Sequence, residues 1–181
     1  MGVEGSQAYA VRAWEEATVA SQDHRDLLAH FPTGVCIVTT TDTRGLPYGM
    51  TCSSLASVCL NPSTVLVVLA ADSRTLRHAQ ALGYFAVNIL SEHAEPLAAR
   101  FAAPGVDRFA DVEWSASPHA LPWLADEWLV GAADLRVAET RRFGDHVVVF
   151  AHLEDVCVWG GTPLLYGLRQ YQSWSAVVEP R

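Results

Sequence analysis

The chain has 181 residues, half of them hydrophobic and 18% charged, and a formal charge of −8. That composition excludes intrinsic disorder, and the length suits one domain whose core needs no disulfide or metal staple. All 12 cations are arginine, which excludes a lysine Schiff base and a P-loop lysine, and so acidic a chain is a poor nucleic-acid binder.

The four cysteines, Cys36, Cys52, Cys59 and Cys157, form no CxxC pair and no zinc-ligand spacing. Glu4 stands early and no apolar h-region follows, so no signal peptide is expected. The apolar stretches are strand-sized, far short of a membrane span. The expectation is a cytoplasmic protein with reduced thiols and no membrane contact.

Residues 1–22 read as an N-terminal helical arm, with Ala8, Val11, Trp14 and Val19 at rough helical spacing. A short helix is expected over 23–30, with Asp23 as N-cap and Pro32 as stop. β texture begins at Gly34: strands are expected over 35–41 and 48–54, joined by an Arg44-Gly45 turn. A short strand over 57–60 ends at Asn61-Pro62. The apolar run 64–70 reads as a strand buried on both faces. Asp72-Ser73 opens a helix that Gly83 closes. A strand over 85–90 leads to a Ser91-capped helix that ends near Phe101. Residues 104–122 form a long loop, a length that is usually functional or covering. Strands over 129–137, 146–158 and 163–166 complete a domain over 23–174, and 175–181 is a tail. Strands not alternating with long helices favour a mainly β, mostly antiparallel barrel or sandwich with a few helices.

No GxSxG elbow, HExxH or GxGxxG after a strand is present, so hydrolase, zincin and Rossmann sites are not expected. His146 and His152 share a strand face, but no carboxylate or cysteine completes a metal site, and none is expected. Four segments can carry chemistry. Tyr48-Gly-Met-Thr-Cys-Ser-Ser54 exposes backbone and the hydroxyls of Thr51, Ser53 and Ser54, which suits a flat polar-edged heterocycle and equally suits an edge strand against a neighbour. Ser73, Arg74 and Thr75 at a helix start make a phosphate cradle, or a plain N-cap. Asp145-His146 in a turn can meet a cofactor, or be a solvated hairpin. Arg169 and Tyr171, two apart in an extended segment, share a face that fits a phosphate and a ring, or packs Tyr171 into the core.

Taken in order, these signals resemble the flavin reductase family, the NAD(P)H:flavin oxidoreductases that supply two-component monooxygenases. The resemblance rests on Phe31-Pro-Thr-Gly-Val-Cys-Ile-Val-Thr-Thr40, Gly49-Met-Thr-Cys-Ser-Ser54 with Ser57-Val58 and Pro62, Ser73-Arg-Thr75, Phe85-Ala-Val-Asn88, Asp107-Arg-Phe109, Gly144-Asp-His146, and Pro163-Leu-Leu-Tyr166 with Arg169 and Tyr171. It spans roughly residues 23–174. It implies a flavin-binding split β-barrel of Greek-key type and a homodimer with flavin near the subunit interface. It places Met50, Thr51, Cys52, Ser53 and Ser54 at the isoalloxazine edge, with Thr33, Ser57 and Val58 close by. Ser73, Arg74 and Thr75 would hold the phosphate, and Asn88 would help fix the site. His146, the candidate catalytic residue, would line the nicotinamide position with Arg169 and Tyr171. Cys52 and Cys59 depart from the small or hydroxyl residues common there.

Hydride transfer from nicotinamide to flavin needs no protein nucleophile, so a missing triad agrees with this reading. The activity implied is reduction of FAD or FMN by NADH (NADPH being the other donor), with free reduced flavin passed to a separate oxygenase or halogenase. Two other readings stand beside it: a flavoprotein with tightly held FMN acting on its own substrate, and a non-enzymatic nucleotide-binding barrel.

Overall fold

The computed structural model describes residues 20–174; residues 1–19 of the arm expected over 1–22, and the tail over 175–181, lie outside the described residues. Three α-helices and twelve strands are found there. The strands are β1 Thr33–Gly34, β2 Cys36–Thr41, β3 Pro47–Cys52, β4 Ala56–Leu60, β5 Ser63–Ala70, β6 Tyr84–Leu90, β7 Trp114–Ala116, β8 Pro122–Leu124, β9 Leu129–Phe143, β10 His146–Val158, β11 Leu164–Gly167 and β12 Gln170–Ser173. The helices are α1 Ser21–Ala29, α2 Arg74–Leu82 and α3 Glu95–Ala102. Every strand pairing is antiparallel, as the mainly β reading expects.

Seven strands form one sheet in the order β3-β2-β6-β9-β10-β5-β4. The sheet curls until the end of β3 meets β5. There the Ser54 hydroxyl donates to the Val68 carbonyl at 3.1 Å and accepts from the Val68 N–H at 2.8 Å. The barrel is thus split along one seam and closed there by a side chain. A second sheet, β1-β11-β12, lies against its end, and β7 with β8 makes a small hairpin.

All six residues of β2 are buried. Alternation sends Cys36 and Val38 into the barrel interior with Val67, Leu69, Phe85, Leu135 and Val149, a core capped by Leu76 and Ala79 of α2. Ile37 faces outward with Leu90, Leu97, Ala98, Phe101 and Leu124, a second core covered by α3 and the hairpin. The polar part of β2 is satisfied in place: Thr39 donates to the Pro122 carbonyl at 2.6 Å and Thr40 to the Tyr84 carbonyl at 3.1 Å.

Several boundaries differ from expectation. α1 has no side-chain cap; Ala20 stands at the N-cap and Asp23 falls in the first turn. α3 starts at Glu95 behind Ala94, not at Ser91, because Ser91 forms a bridge to Pro163 and its N–H donates to the Trp128 carbonyl. β5 buries Thr64, Val67 and Leu69 while its other residues stay partly open, because its second face looks away from the barrel's single interior. The long loop over 104–122 folds partly into the β7–β8 hairpin. The expected cap Ser73 and stop Gly83 both hold: Ser73 accepts from the Leu76 N–H, and Gly83 sits at φ 78°.

Asn88 fastens the hairpin to the barrel. Its amide donates to the Ile37 carbonyl at 3.2 Å and the Thr39 hydroxyl at 3.0 Å, and its oxygen accepts from the Leu124 N–H at 2.9 Å. It is fully buried. Asn88→Ala would orphan these groups and cost about 2–3 kcal/mol, read as a lower urea midpoint at unchanged slope.

Candidate functional site

A cleft of about 1040 Å³ opens between β3, the start of α2 and the 104–110 loop. Tyr48, Gly49 and Met50 form one wall, Ser73, Arg74 and Thr75 another, and Arg108, Phe109 and Trp114 the third. The rim residues Arg74, Pro104, Gly105, Val106 and Asp107 are exposed, so the cleft is open to solvent.

Each wall follows from local sequence. β3 presents Gly49 because nothing larger fits: a Cβ there would stand 2.8 Å from the Phe101 ring and 3.2 Å from the Val38 carbonyl. Phe101 supports Phe109 edge-on at 5.0 Å, and Phe109 meets Trp114 at 6.4 Å, so one aromatic row carries the outer core into the cleft wall. At α2 the first amides have no intrahelical acceptor, and they share the end of the helix with the Thr75 and Ser73 hydroxyls. Arg74 lies 5.6 Å over the Tyr48 ring, and Tyr48 stacks on His78 at 4.1 Å.

Arg108 is a cleft-lining side chain to which the sequence alone assigns no role. Its guanidinium donates to the Gly49 carbonyl at 2.7 Å and to the Ala103 carbonyl at 3.1 Å, bracing the loop against β3. Burial, and then the charge of Arg74, lower its pKa. Two cations that repel each other across one cleft suit an anion between them. The Asp107-Arg-Phe109 triplet was the available signal.

A smaller hollow, about 400 Å³, adjoins the cleft through Ala70 and Asp72 and is lined by Arg142, Asp145 and His146. His146 Nδ1 lies 2.8 Å from Asp145, and that hydrogen bond holds the Asp145 carboxyl below its usual range. The Ala71 N–H donates to the Asp145 carbonyl at 2.9 Å, which ties this turn to the α2 entrance.

Met50, Ser73, Arg74 and Thr75 are therefore brought together, with His146 next door. The other expected residues are not on these walls. Thr51 donates to the Ala98 carbonyl at 2.6 Å, anchoring α3. Cys52 is buried, and Ser54 closes the barrel seam. Ser53 is exposed beside them, and Ser57 and Val58 lie on the exposed edge strand β4. Asn88 holds the hairpin behind Trp114. Thr33 and Tyr171 lie on the small sheet, where Thr33 pairs with Tyr166 and Tyr171 packs on the Tyr166 ring. Arg169 does not extend alongside Tyr171. It sits at φ 62° after Leu168 at φ 50°, in the two-residue turn joining β11 and β12, and it is ion-paired with Asp26 of α1. That turn geometry, which needs two left-handed residues, is hard to foresee without glycine or asparagine.

Among the described residues, one metal-like group occurs. His119, Asp134 and Asp155 offer ligand atoms within 4.8 Å. The fully buried Asp134 is already engaged: one oxygen accepts from Trp123 Nε1 at 2.8 Å, the other from the Ser117 hydroxyl at 2.6 Å and the His119 N–H at 3.1 Å. The group clamps the hairpin region to β9.

The sequence matches the family described as "Flavin reductase like domain" over residues 28–175. The chain belongs to the flavin reductase family. It is 41% identical over 160 residues to a flavin reductase (NADPH) of Lentzea aerocolonigenes, covering 88% of this chain and 93% of that one. It is 40% identical over 162 residues to a flavin reductase (NADH) of Kitasatospora aureofaciens, covering 86% and 82%. Among solved structures, component B of nitrilotriacetate monooxygenase from Mycobacterium thermoresistibile superposes with a TM-score of 0.81 at 31% identity, covering 88% and 89%. An NADH:FAD oxidoreductase of Streptomyces globisporus C-1027, solved with NAD and FAD fragments, gives 0.77 at 28% identity, covering 86% and 95%. The enzyme is thus an NAD(P)H-dependent flavin reductase with flavin and NAD(P)H as its substrates.

Gly49→Ala would force Phe101 aside and cost about 1–3 kcal/mol. Because Phe101 supports Phe109 and Trp114, flavin affinity should fall as well, which flavin fluorescence titration alongside thermal melting would measure.

Proposed function

We propose that the flavin reductase uses the open cleft for a free, exchangeable flavin and the adjoining hollow for the nicotinamide of NADH. The observation that carries this is one cleft that sets Arg74, at the α2 N-terminus, opposite Arg108, which is braced on the Gly49 carbonyl of β3. Those groups fit a flavin phosphate: the guanidiniums of Arg74 and Arg108, the Thr75 hydroxyl and the α2 N-terminus line one cleft, with the carboxylates of Asp72 and Asp107 on the same lining. Bound flavin supplies the hydride acceptor, and the reduced nicotinamide supplies the donor.

The chain's own work is to bind, orient and exclude. Arg74 and Thr75 hold the phosphate end, while Met50 and the β3 backbone border the ring. His146, fixed by Asp145, borders the nicotinamide. Aromatic walls Tyr48, Phe109 and Trp114 limit water around the reacting rings.

The donor is proposed to be NADH because Arg142 is the one arginine on the hollow's lining, while Arg169 and Arg141 are ion-paired with Asp26 and Glu139. The working unit is residues 23–174 in a cytoplasmic homodimer, and reduced flavin passes to a separate oxygenase or halogenase. Dimerisation is supported by exposed apolar side chains: Val58 and Leu60 on the edge strand β4, Leu60 at 88% exposure, and Val156 and Val158 at the end of β10, Val158 at 76%. A partner copy there would also cover Ser57 and Val58. No described helix is long and apolar enough to cross a membrane.

The test is NADH oxidation by flavin-stripped protein, with and without added FAD or FMN. Oxidation that requires and saturates with free flavin is expected, and NADPH should be the poorer donor. Flavin that stays with the protein through gel filtration would replace this reading with a tightly held cofactor. Arg74→Ala should raise the flavin KM about tenfold or more, the loss of one charge-assisted contact, with a smaller change in kcat.

A further inference from the structure

Cys36 and Cys52 are direct partners across the β2–β3 ladder. Both side chains enter the same inner core. Directly opposed residues of an antiparallel pair have Cα atoms about 4.5–5.5 Å apart, within the span of about 4.4–6.8 Å that a disulfide bridges. The Cys36 thiol donates to the Cys52 carbonyl at 3.3 Å.

The two thiols are not equivalent. The hydrogen bond from Cys36 lowers Cys52 to about 6 against the opposing effect of burial, and Ser54 assists. Cys36 is pushed well above the ordinary thiol value by Cys52 and by burial. The Ser54 hydroxyl stands 3.1 Å from the Cys52 sulfur and 3.1 Å from the Val68 carbonyl. It has one proton for two acceptors, so it can stabilise a thiolate only by releasing the seam carbonyl.

We propose that Cys36 and Cys52 form a peroxide-responsive dithiol, with Cys52 as the attacking sulfur and Cys36 as the resolving one. The oxidant is hydrogen peroxide. The Cys52 thiolate displaces hydroxide from the peroxide O–O bond and becomes a sulfenic acid. The Cys36 sulfur then attacks the Cys52 sulfur, forming the disulfide, and the hydroxyl leaves with a proton as water. Two thiols and one peroxide give one disulfide and two waters.

The disulfide draws the Cys52 sulfur toward β2 and away from Ser54. It therefore acts on the seam and on β3, whose preceding residues line the cleft. The pair's chemistry stands on its own geometry. Only the source of peroxide, reduced flavin meeting dioxygen, rests on the proposed function.

The full chain would be treated with hydrogen peroxide, denatured, alkylated, digested and mapped by mass spectrometry. A Cys36–Cys52 cross-linked peptide that dithiothreitol reverses is expected, together with a several-fold, reversible rise in flavin KM. In Cys36→Ala, dimedone should label Cys52. The rate of Cys52 oxidation should rise through about pH 6, where half of that sulfur is thiolate, and level off at higher pH. A rate that keeps climbing toward pH 9.0, the ordinary thiol value, would remove Cys52 as the attacking thiolate. Oxidation confined to exposed Cys59, or Cys52 passing to sulfinic acid without a cross-link, would overturn the proposal. The cross-link, dimedone and pH readouts need no turnover, so failure there is distinct from failure of the reductase reading.

Discussion

β2 must be apolar on both faces, and the rest of the architecture follows from that constraint. A strand six residues long that exposes nothing has to be covered twice. The barrel covers one face with its own far wall and with α2. α3 and the β7–β8 hairpin cover the other. Thr39 and Thr40 near the end of β2 are tolerated because each finds a carbonyl acceptor, and among the described residues no buried side-chain nitrogen or oxygen lacks a partner.

The cleft arises where these two coverings meet. α3 and the hairpin approach β3 from one side, α2 from the other, and between them β3 carries the small residue that lets Phe101 in. Arg108 then braces the loop, and Asn88 and Asp134 brace the hairpin from behind. The cleft walls are thus held largely by buried polar contacts to backbone, which fix position more sharply than apolar packing does. Binding geometry and stability share the same residues.

Much of this was legible in the chain. The β-rich texture, the Ser73 cap, the Gly83 stop and the ordered motifs each reflect a local physical requirement, and local requirements leave local signals. The helix start at Ser73 was readable for that reason. What did not show was any role decided by a partner distant in sequence. Ser54 and Thr51 look like ligand donors, yet both serve backbone carbonyls on other elements. Arg108 gains its place only when the 104–110 loop folds back onto β3. Arg169 was misplaced because its turn has neither glycine nor asparagine to announce it.

Ser54 closing the barrel has a consequence for how the molecule breathes. Elsewhere neighbouring strands are joined by ladders, but here one hydroxyl and one peptide unit span the gap. Opening the seam breaks two bonds, whereas parting β2 from β6 or β9 from β10 means stripping a whole register. Slow fluctuations are therefore unequal around the ring. Amide protons beside the seam trade with solvent through small local excursions, while those of β2, β6 and β9 wait for global unfolding.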